Sequence, residues 1–534
     1  MKHLAILTLT LLLAFALRLY PTLASGMPFS TDGWGPIRNA EGIVAHSPLN
    51  LSNLTIFDGY HNYWPAVSIY GAFLSIVAGL KPLSAMSAGV PMASALAVLI
   101  FYALVKRISG NSGLALTSAL MLAVTYPYTL FTAGVTKEAY ATPIYLTAML
   151  LFISHAKARE TLLFMIASAA LVTAHHLTAI TTAAILFSAA AGLAIYNFKR
   201  GEKIEKSPFL MVSALAIALG LYLEFYAYNG LIARITLTPG DVISALSYQA
   251  AAYSVALYLV LREPRPSWLK DALKGVGVSM LVLFSIVLCT RRAIIPGAPT
   301  LPSRYLAYAV PFVAAAPMAA LGSGEILKGR SRLVPAFWIS VLLGFEGYAI
   351  FGHPPMGLSL AYRVINLITI PLAMLCAAGI CRLASLRHGT FAASAKLAAS
   401  AILIIIAASN IYNVYASVHL RERYMGYFWT YTQPEFAAAK WLSENTNETA
   451  AGDVKFYYLL EEYFSLNVDV AQALKYFYGE TPKPPSLLIL YDLMAENGYV
   501  LYGGYSVDLP AGWAEGTARL NQIYCNAPVK IYRG

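Results

Sequence analysis

Only 12% of the 534 residues are charged, so the side chains able to move a proton or bind an anion are confined to a few short connections between apolar runs. The first connection contains Phe29-Ser30-Thr31-Asp32-Gly33-Trp34-Gly35, an acid with two glycines close behind it that reads as a flexible turn. Asp-Gly is also a common turn pair, and a solvated turn would account for Asp32 without chemistry. A second connection, Ala133-Gly134-Val135-Thr136-Lys137-Glu138, holds a single carboxylate at the start of the next apolar helix. Glu138 could act on a substrate, or it could complement the positive end of the helix dipole. Between two further runs stands Thr173-Ala174-His175-His176-Leu177-Thr178. Neighbouring residues on a helix project about 100° apart, so these imidazoles cannot share one ion as an i,i+4 pair can. One could face a site while the other caps or packs.

Arginine adds a planar fork matched to phosphate oxygens. Arg291, Arg292 and Arg304 share one connection, and Arg363 follows His353-Pro354-Pro355-Met356-Gly357 in the next. Arg291 and Arg292 could be snorkelling to lipid headgroups. Arg304 and Arg363, each placed just ahead of a helix after proline-rich backbone, are the better phosphate candidates.

The elements that must position these residues are membrane spans. The chain is 58% hydrophobic, which excludes an ordinary soluble globular protein, and many runs reach the ~20 residues that cross ~30 Å of hydrocarbon. Thirteen spans are expected, at 4–20, 84–105, 114–131, 139–154, 161–174, 178–197, 208–228, 245–261, 273–290, 305–322, 333–351, 363–381 and 397–415. Every second connection is basic: Lys106-Arg107, His155–Glu160, Lys199–Lys206, Arg262–Lys274, Glu325–Arg332 and Arg382–Lys396. Together they hold 18 of the 37 basic residues and 6 acidic ones. Lys and Arg are retained on the cytoplasmic side during insertion. The N-terminus is therefore expected inside, and Asp32, Glu138, the histidines and the arginines outside. The same asymmetry accounts for the net charge of +11, and no nucleic acid partner is implied.

Residues 63–80, from Tyr63-Trp64-Pro65 to Leu80, are long enough to suggest a fourteenth span. A crossing there would invert every later basic connection, so the segment is expected to lie along the outer interface with its aromatic end at headgroup depth. Met1 to Tyr20 are taken as an uncleaved first helix rather than a signal peptide. Residues 1–417, including the outer loop 21–62 and the interfacial helix, are expected to form one membrane domain. Residues 418–534, with 13 acidic and 9 basic side chains, form a small outer α/β domain. Within it Pro434–Glu444 reads as a helix, and Leu487–Leu490 and Tyr499–Tyr502 as strands. The triplets at Asn50, Asn53 and Asn447 suit an outer location. Four scattered cysteines form neither a disulfide framework nor a metal spacing.

This arrangement resembles the GT-C superfamily of membrane glycosyltransferases, which includes protein O-mannosyltransferases, aminoarabinose lipid A transferases and oligosaccharyltransferase catalytic subunits. The likeness covers nearly the whole chain. It rests on an N-in helix ending Leu17-Arg18-Leu19-Tyr20-Pro21, the outer acid Asp32, the interfacial helix and the spans around Lys106-Arg107. It continues with the second outer acid Glu138 and an outer domain opening Pro434-Glu435-Phe436-Ala437-Ala438-Ala439-Lys440-Trp441-Leu442. Two departures separate the chain from particular subfamilies. Gly33 follows Asp32 where the O-mannosyltransferases have a paired Asp-Glu, and Tyr427-Phe428-Trp429 is no substitute for the Trp-Trp-Asp of oligosaccharyltransferases.

The resemblance implies an all-α polytopic fold and transfer of a sugar from a polyprenyl-phosphate donor to a protein, lipid or glycan acceptor on the outer face, with inversion. Asp32 would accept the acceptor's proton or orient its attack, and Arg304 and Arg363 would bind the lipid phosphate. Glu138 could orient the acceptor, or join Asp32 and His175 or His176 around Mg²⁺ or Mn²⁺. Two other classes use the same substrates. A transporter or flippase of lipid-linked sugars would need ionisable or broken-helix sites near the midplane. A polysaccharide polymerase or ligase would lack the early-loop acid combined with an outer C-terminal domain.

Overall fold

The computed structural model describes residues 2–46, 60–154, 158–232, 238–262, 268–294, 298–326, 333–354, 356–386 and 391–534. The triplets at Asn50 and Asn53 lie outside the described residues, as do Lys328 and most of its connection. Contacts divide the chain into two compact units. One comprises Met1–Arg18, Met92–Thr132 and Lys137–Val414; the other comprises Leu19–Pro91, Ala133–Thr136 and Tyr415–Gly534.

The first unit is helical. Over the whole chain, nine helices among the described residues are long and apolar enough to cross a membrane, from Lys2–Ser25 to Ala392–His419. A tenth candidate is the pair Ser112–Val124 and Tyr126–Thr132, bent by 64°. The expected count of thirteen is therefore not established. Lys137–Ile153 and Ala158–Ala174 have 17 residues each, and the apolar part of Trp268–Cys289 is similarly short, Leu273–Cys289. A 17-residue helix is about 26 Å long, at the lower limit for a span.

Local chemistry explains the ends. Asn111 caps Ser112–Val124 by accepting from the amides of Gly113 and Leu114, at 2.9 and 3.1 Å. Thr238 and Asp241 form a capping box at the start of Pro239–Leu261, six residues earlier than the expected span. The run expected at 114–131 breaks at Thr125, whose ψ of 115° is not helical. Pro127 then sits in the first turn of the next helix, where its missing N–H costs nothing. The Tyr126 amide released by the break donates to Asn410 Oδ1 at 2.7 Å.

In the second unit, Ala66–Ala78 fills most of the segment expected at 63–80. Thirteen residues span about 20 Å, too short to cross a bilayer. Val67, Ser68, Gly71, Ala72 and Ser75 form its buried face, while Ile69, Phe73, Ile76 and Val77 are exposed. That division suits a helix lying flat in an interface.

The tail folds around a five-stranded sheet. Its strands are β1 (Ala450–Ala451), β2 (Val468–Asp469), β3 (Leu487–Tyr491), β6 (Asn521–Cys525) and β7 (Val529–Arg533), in the order β2-β1-β3-β7-β6. β1 runs parallel to β2 and β3, whereas β7 is antiparallel to β3 and β6. A separate ribbon pairs β4 (Tyr499–Val500) with β5 (Ser506–Val507). The helix expected at Pro434–Glu444 spans Gln433–Asn445, opened by a Thr432–Glu435 capping box. The strand expected over 499–502 is shorter, ending at Val500.

Candidate functional site

Asp32 lies in a single 3-10 turn, Thr31–Gly33, that runs straight into the helix Trp34–Ala45. The flexible, solvated turn expected from its glycines is not what forms. Asp32 is half-buried between buried Thr31 and Gly33. A Cβ at Gly33 would sit 3.0 Å from the Val135 carbonyl oxygen, and one at Gly35 would fall 2.3 Å from His61 Cδ2. Both glycines serve close approach rather than mobility.

The strand of chain leading to Asp32 is tied on both sides. Ser30 N donates to the Trp429 carbonyl at 2.9 Å, and Val135 N donates to the Phe29 carbonyl at 3.1 Å. Ser30 itself is held at φ 86° and ψ 137°, a region that costs a non-glycine residue about 1–3 kcal/mol. Trp34, fully buried, anchors the following helix edge-on to Tyr431 at 5.0 Å and stacked on Phe436 at 5.8 Å. The carboxylate is thus carried on over-determined backbone, as preorganised groups are.

A second group belongs to the first unit. Glu138, in the first turn of Lys137–Ile153, is 2% exposed and accepts from Arg363 Nη1 at 2.7 Å. Arg363 is not ahead of its helix as expected, because Gly357–Ala384 has already begun. His175 and His176 lie within electrostatic reach of both Arg363 and Lys137. His175 has extended backbone and caps His176–Lys199, with its Nδ1 2.8 Å from Thr178 Oγ1. The rings of His175 and His176 stand 4.9 Å apart. Arg304 occupies the 3-10 helix Ser303–Ala309, exposed, with its guanidinium 5.3 Å from the Tyr305 ring.

For a divalent ion the fit is poor. Among the described residues no three His, Cys, Asp or Glu side chains gather as a cation would need. One oxygen of Glu138 is engaged by a guanidinium and one nitrogen of His175 by a hydroxyl. No step is therefore assigned to a metal.

Arg18 is a residue that the sequence reading passed over as a candidate. It is fully buried, donates to Thr132 Oγ1 at 2.9 Å and to the carbonyls of Ala14 and Ala123 at 3.2 and 3.3 Å, and lies 5.1 Å from the Tyr128 ring centroid. Ala123 O is freed by the helix break at Thr125, and it accepts from both Thr129 Oγ1 at 2.9 Å and the guanidinium. A cation within the last turns of an otherwise apolar first span was the available signal.

The tail holds a buried polar cluster. Lys455 pairs with Glu435 at 2.5 Å and sits 5.1–5.6 Å from the rings of Tyr491, Tyr431 and Tyr427. Tyr491 Oη donates to Asp453 Oδ2 at 2.5 Å, while Asp453 Oδ1 caps the helix Val454–Glu462 through the Phe456 amide. Burial pushes the Asp453 carboxyl up to about 6, against the pull of the Tyr491 hydroxyl and the Phe456 amide. A folded-state value above the unfolded one favours folding most at low pH. That contribution is complete below pH ~4 and is lost as pH rises through ~6. The loss amounts to about 3 kcal/mol, expected as a fall in hydrogen-exchange protection of the β3 amides between pH 4 and 6. Asp453→Asn keeps an acceptor for both donors and should flatten this slope; an unchanged slope would assign it to another group.

No family model matches this chain, and no curated protein sequence does. Solved structures do. The archaeal oligosaccharyltransferase AglB from Archaeoglobus fulgidus, in complex with an inhibitory peptide and a dolichol-phosphate, matches at TM-score 0.56 and 14% identity, over 96% of this chain and 71% of its own. The Archaeoglobus fulgidus oligosaccharyltransferase tethered to an acceptor peptide matches at TM-score 0.55 and 13% identity, over 99% and 74%. The fold is shared with these structures: a polytopic helical membrane protein with a small α/β region at its C-terminus.

Proposed function

We propose that this protein is a glycosyltransferase that moves a sugar from a polyprenyl-phosphate donor to a hydroxyl-bearing acceptor on the side of the membrane opposite the basic connections. The observation that carries the reading is the Asp32 carboxylate, held on a strained and doubly tied turn in a chain of GT-C fold. In the reaction, the acceptor oxygen attacks the anomeric carbon and its proton passes to Asp32. The bond from that carbon to the phosphate oxygen breaks, and the polyprenyl phosphate departs with the electron pair. Attack from the face opposite the phosphate inverts the anomeric centre. Arg304 and Arg363 hold the phosphate and balance its growing charge. Glu138, already bonded to Arg363, fixes the plane of that guanidinium and so acts as a positioning residue. His175 and His176 line the same cluster without an assigned proton transfer.

The test is transfer in sealed, right-side-out vesicles charged with a panel of polyprenyl monophosphate and pyrophosphate sugars. Membrane-impermeant peptides and glycans are supplied outside as acceptors. Labelled acceptor in intact vesicles is the expected result. Labelling that requires permeabilisation would overturn the proposed sidedness, and none from any donor in either condition would overturn the transferase reading.

A further inference from the structure

A cleft of about 510 Å³ opens on the surface of the first unit between Pro239–Leu261 and Leu333–Phe351. Its walls are almost wholly hydrocarbon. Val255 and Leu259 come from one helix and Leu343 from the other, and all three are more than half exposed. The floor is made of small residues, Ala252, Ala256 and Ala336. Gly344 keeps the two helices close, since a Cβ there would lie 2.7 Å from Gln249 Oε1, and Gln249 Nε2 donates to the Val341 carbonyl at 3.1 Å. Small side chains opposite large exposed ones leave a furrow that a flexible chain can fill, and an empty furrow forfeits those contacts.

One end of the cleft is charged. Leu259 and Val260 lie in the last turn of Pro239–Leu261, and there Lys199 Nζ donates to the Leu261 carbonyl at 3.3 Å. Arg262 follows immediately, donating from Nη1 to the Tyr258 hydroxyl at 3.0 Å. Lys199 and Arg262 are both exposed, and among the described residues neither pairs with a carboxylate. This end belongs to the basic connections 199–206 and 262–274. An apolar furrow ending at two adjacent cations has the polarity of an anionic lipid: chain, then phosphate.

We propose that the cleft binds one acyl chain of an anionic phospholipid from the leaflet on the basic side, with its phosphate held by Lys199 and Arg262. The site differs from the proposed donor site, which uses Arg304 and Arg363, and it does not depend on the transferase reading. Each cation near an anionic headgroup is worth about fivefold in affinity, and the pair about twenty-fivefold.

The experiment places the full chain in phosphatidylcholine vesicles containing a trace of phosphatidylglycerol with a diazirine in its acyl chain. Photolysis followed by peptide mapping should label residues within 248–260 and 336–344, and unlabelled phosphatidylglycerol, but not extra phosphatidylcholine, should compete. Lys199→Ala with Arg262→Ala, both at exposed positions, should raise the competing concentration needed by about twenty-fivefold. Ala252→Phe, which fills the floor, should abolish cleft labelling with the cations intact. Equal labelling by a phosphatidylcholine probe, or indifference to the cation substitutions, would overturn the proposal. So would preferential displacement by polyprenyl phosphate, which would assign the cleft to the donor's tail.

Discussion

Asp32→Asn is expected to lower sugar transfer by about 10²–10⁴, the usual worth of a positioned general base, while the protein still inserts and purifies as wild type. The amide keeps the size and shape of the carboxylate, so the ties that hold Phe29 and Ser30 are untouched: both run through backbone groups. What the substitution removes is the capacity to take a proton. The effect should therefore fall on kcat and leave the apparent affinity for donor nearly unchanged. The turn's own strain sharpens the test. Ser30 is held at positive φ, and Ser30→Gly relieves that cost while loosening the path to Asp32. It should leave the fold intact and lower kcat only modestly, because the carboxylate remains. An Asp32→Asn protein that retains most of its transfer rate would remove Asp32 from the chemistry and leave its strained turn as a feature of packing alone.

What the sequence made legible follows the range of the forces involved. Local signals carried well: Pro434 at the start and the Ala-rich apolar spacing behind it give Pro434–Glu444, within a residue of each end of the observed helix Gln433–Asn445. The apolar run after Trp64-Pro65 gave a helix too short to span. Glycines were misjudged. The Asp-Gly pair suggests a free turn, whereas Gly33 and Gly35 are small because Val135 and His61 press against them, contacts that no local pattern encodes. The strands were only partly visible: Leu487–Leu490 and Tyr499–Tyr502 were read as strands, whereas β1, β2 and β5 are two residues each. Such strands have no alternation to detect, and they form because their neighbours in the sheet supply the partners. The ion pair between Glu138 and Arg363 joins residues 225 positions apart. Each could be flagged from its charge and its place among apolar runs, but their pairing is a property of the packed helices.

That pairing gives the second large expectation. Glu138→Gln and Arg363→Lys should both lower kcat/KM for the lipid donor, by about ten- to a hundredfold, the range set by a hydrogen bond to a charged partner. Lys retains the charge opposite Glu138 but loses the second edge of the fork that would face a phosphate. Gln retains the shape beside Arg363 but no longer fixes the guanidinium electrostatically. If Glu138 works through Arg363, the double variant should be no worse than the more damaging single one by more than a few-fold, since contacting residues do not act additively. The acceptor KM should stay close to wild type in all three. A Glu138→Gln protein with a raised acceptor KM and normal donor use would instead return Glu138 to the role of orienting the acceptor. Stability separates both outcomes from simple unfolding. Arg363→Ala leaves a buried carboxylate without this counter-charge and should cost about 3 kcal/mol. Arg363→Lys, which keeps a cation in place, should cost far less, so a loss of donor use in the lysine variant reports on the site rather than on the fold.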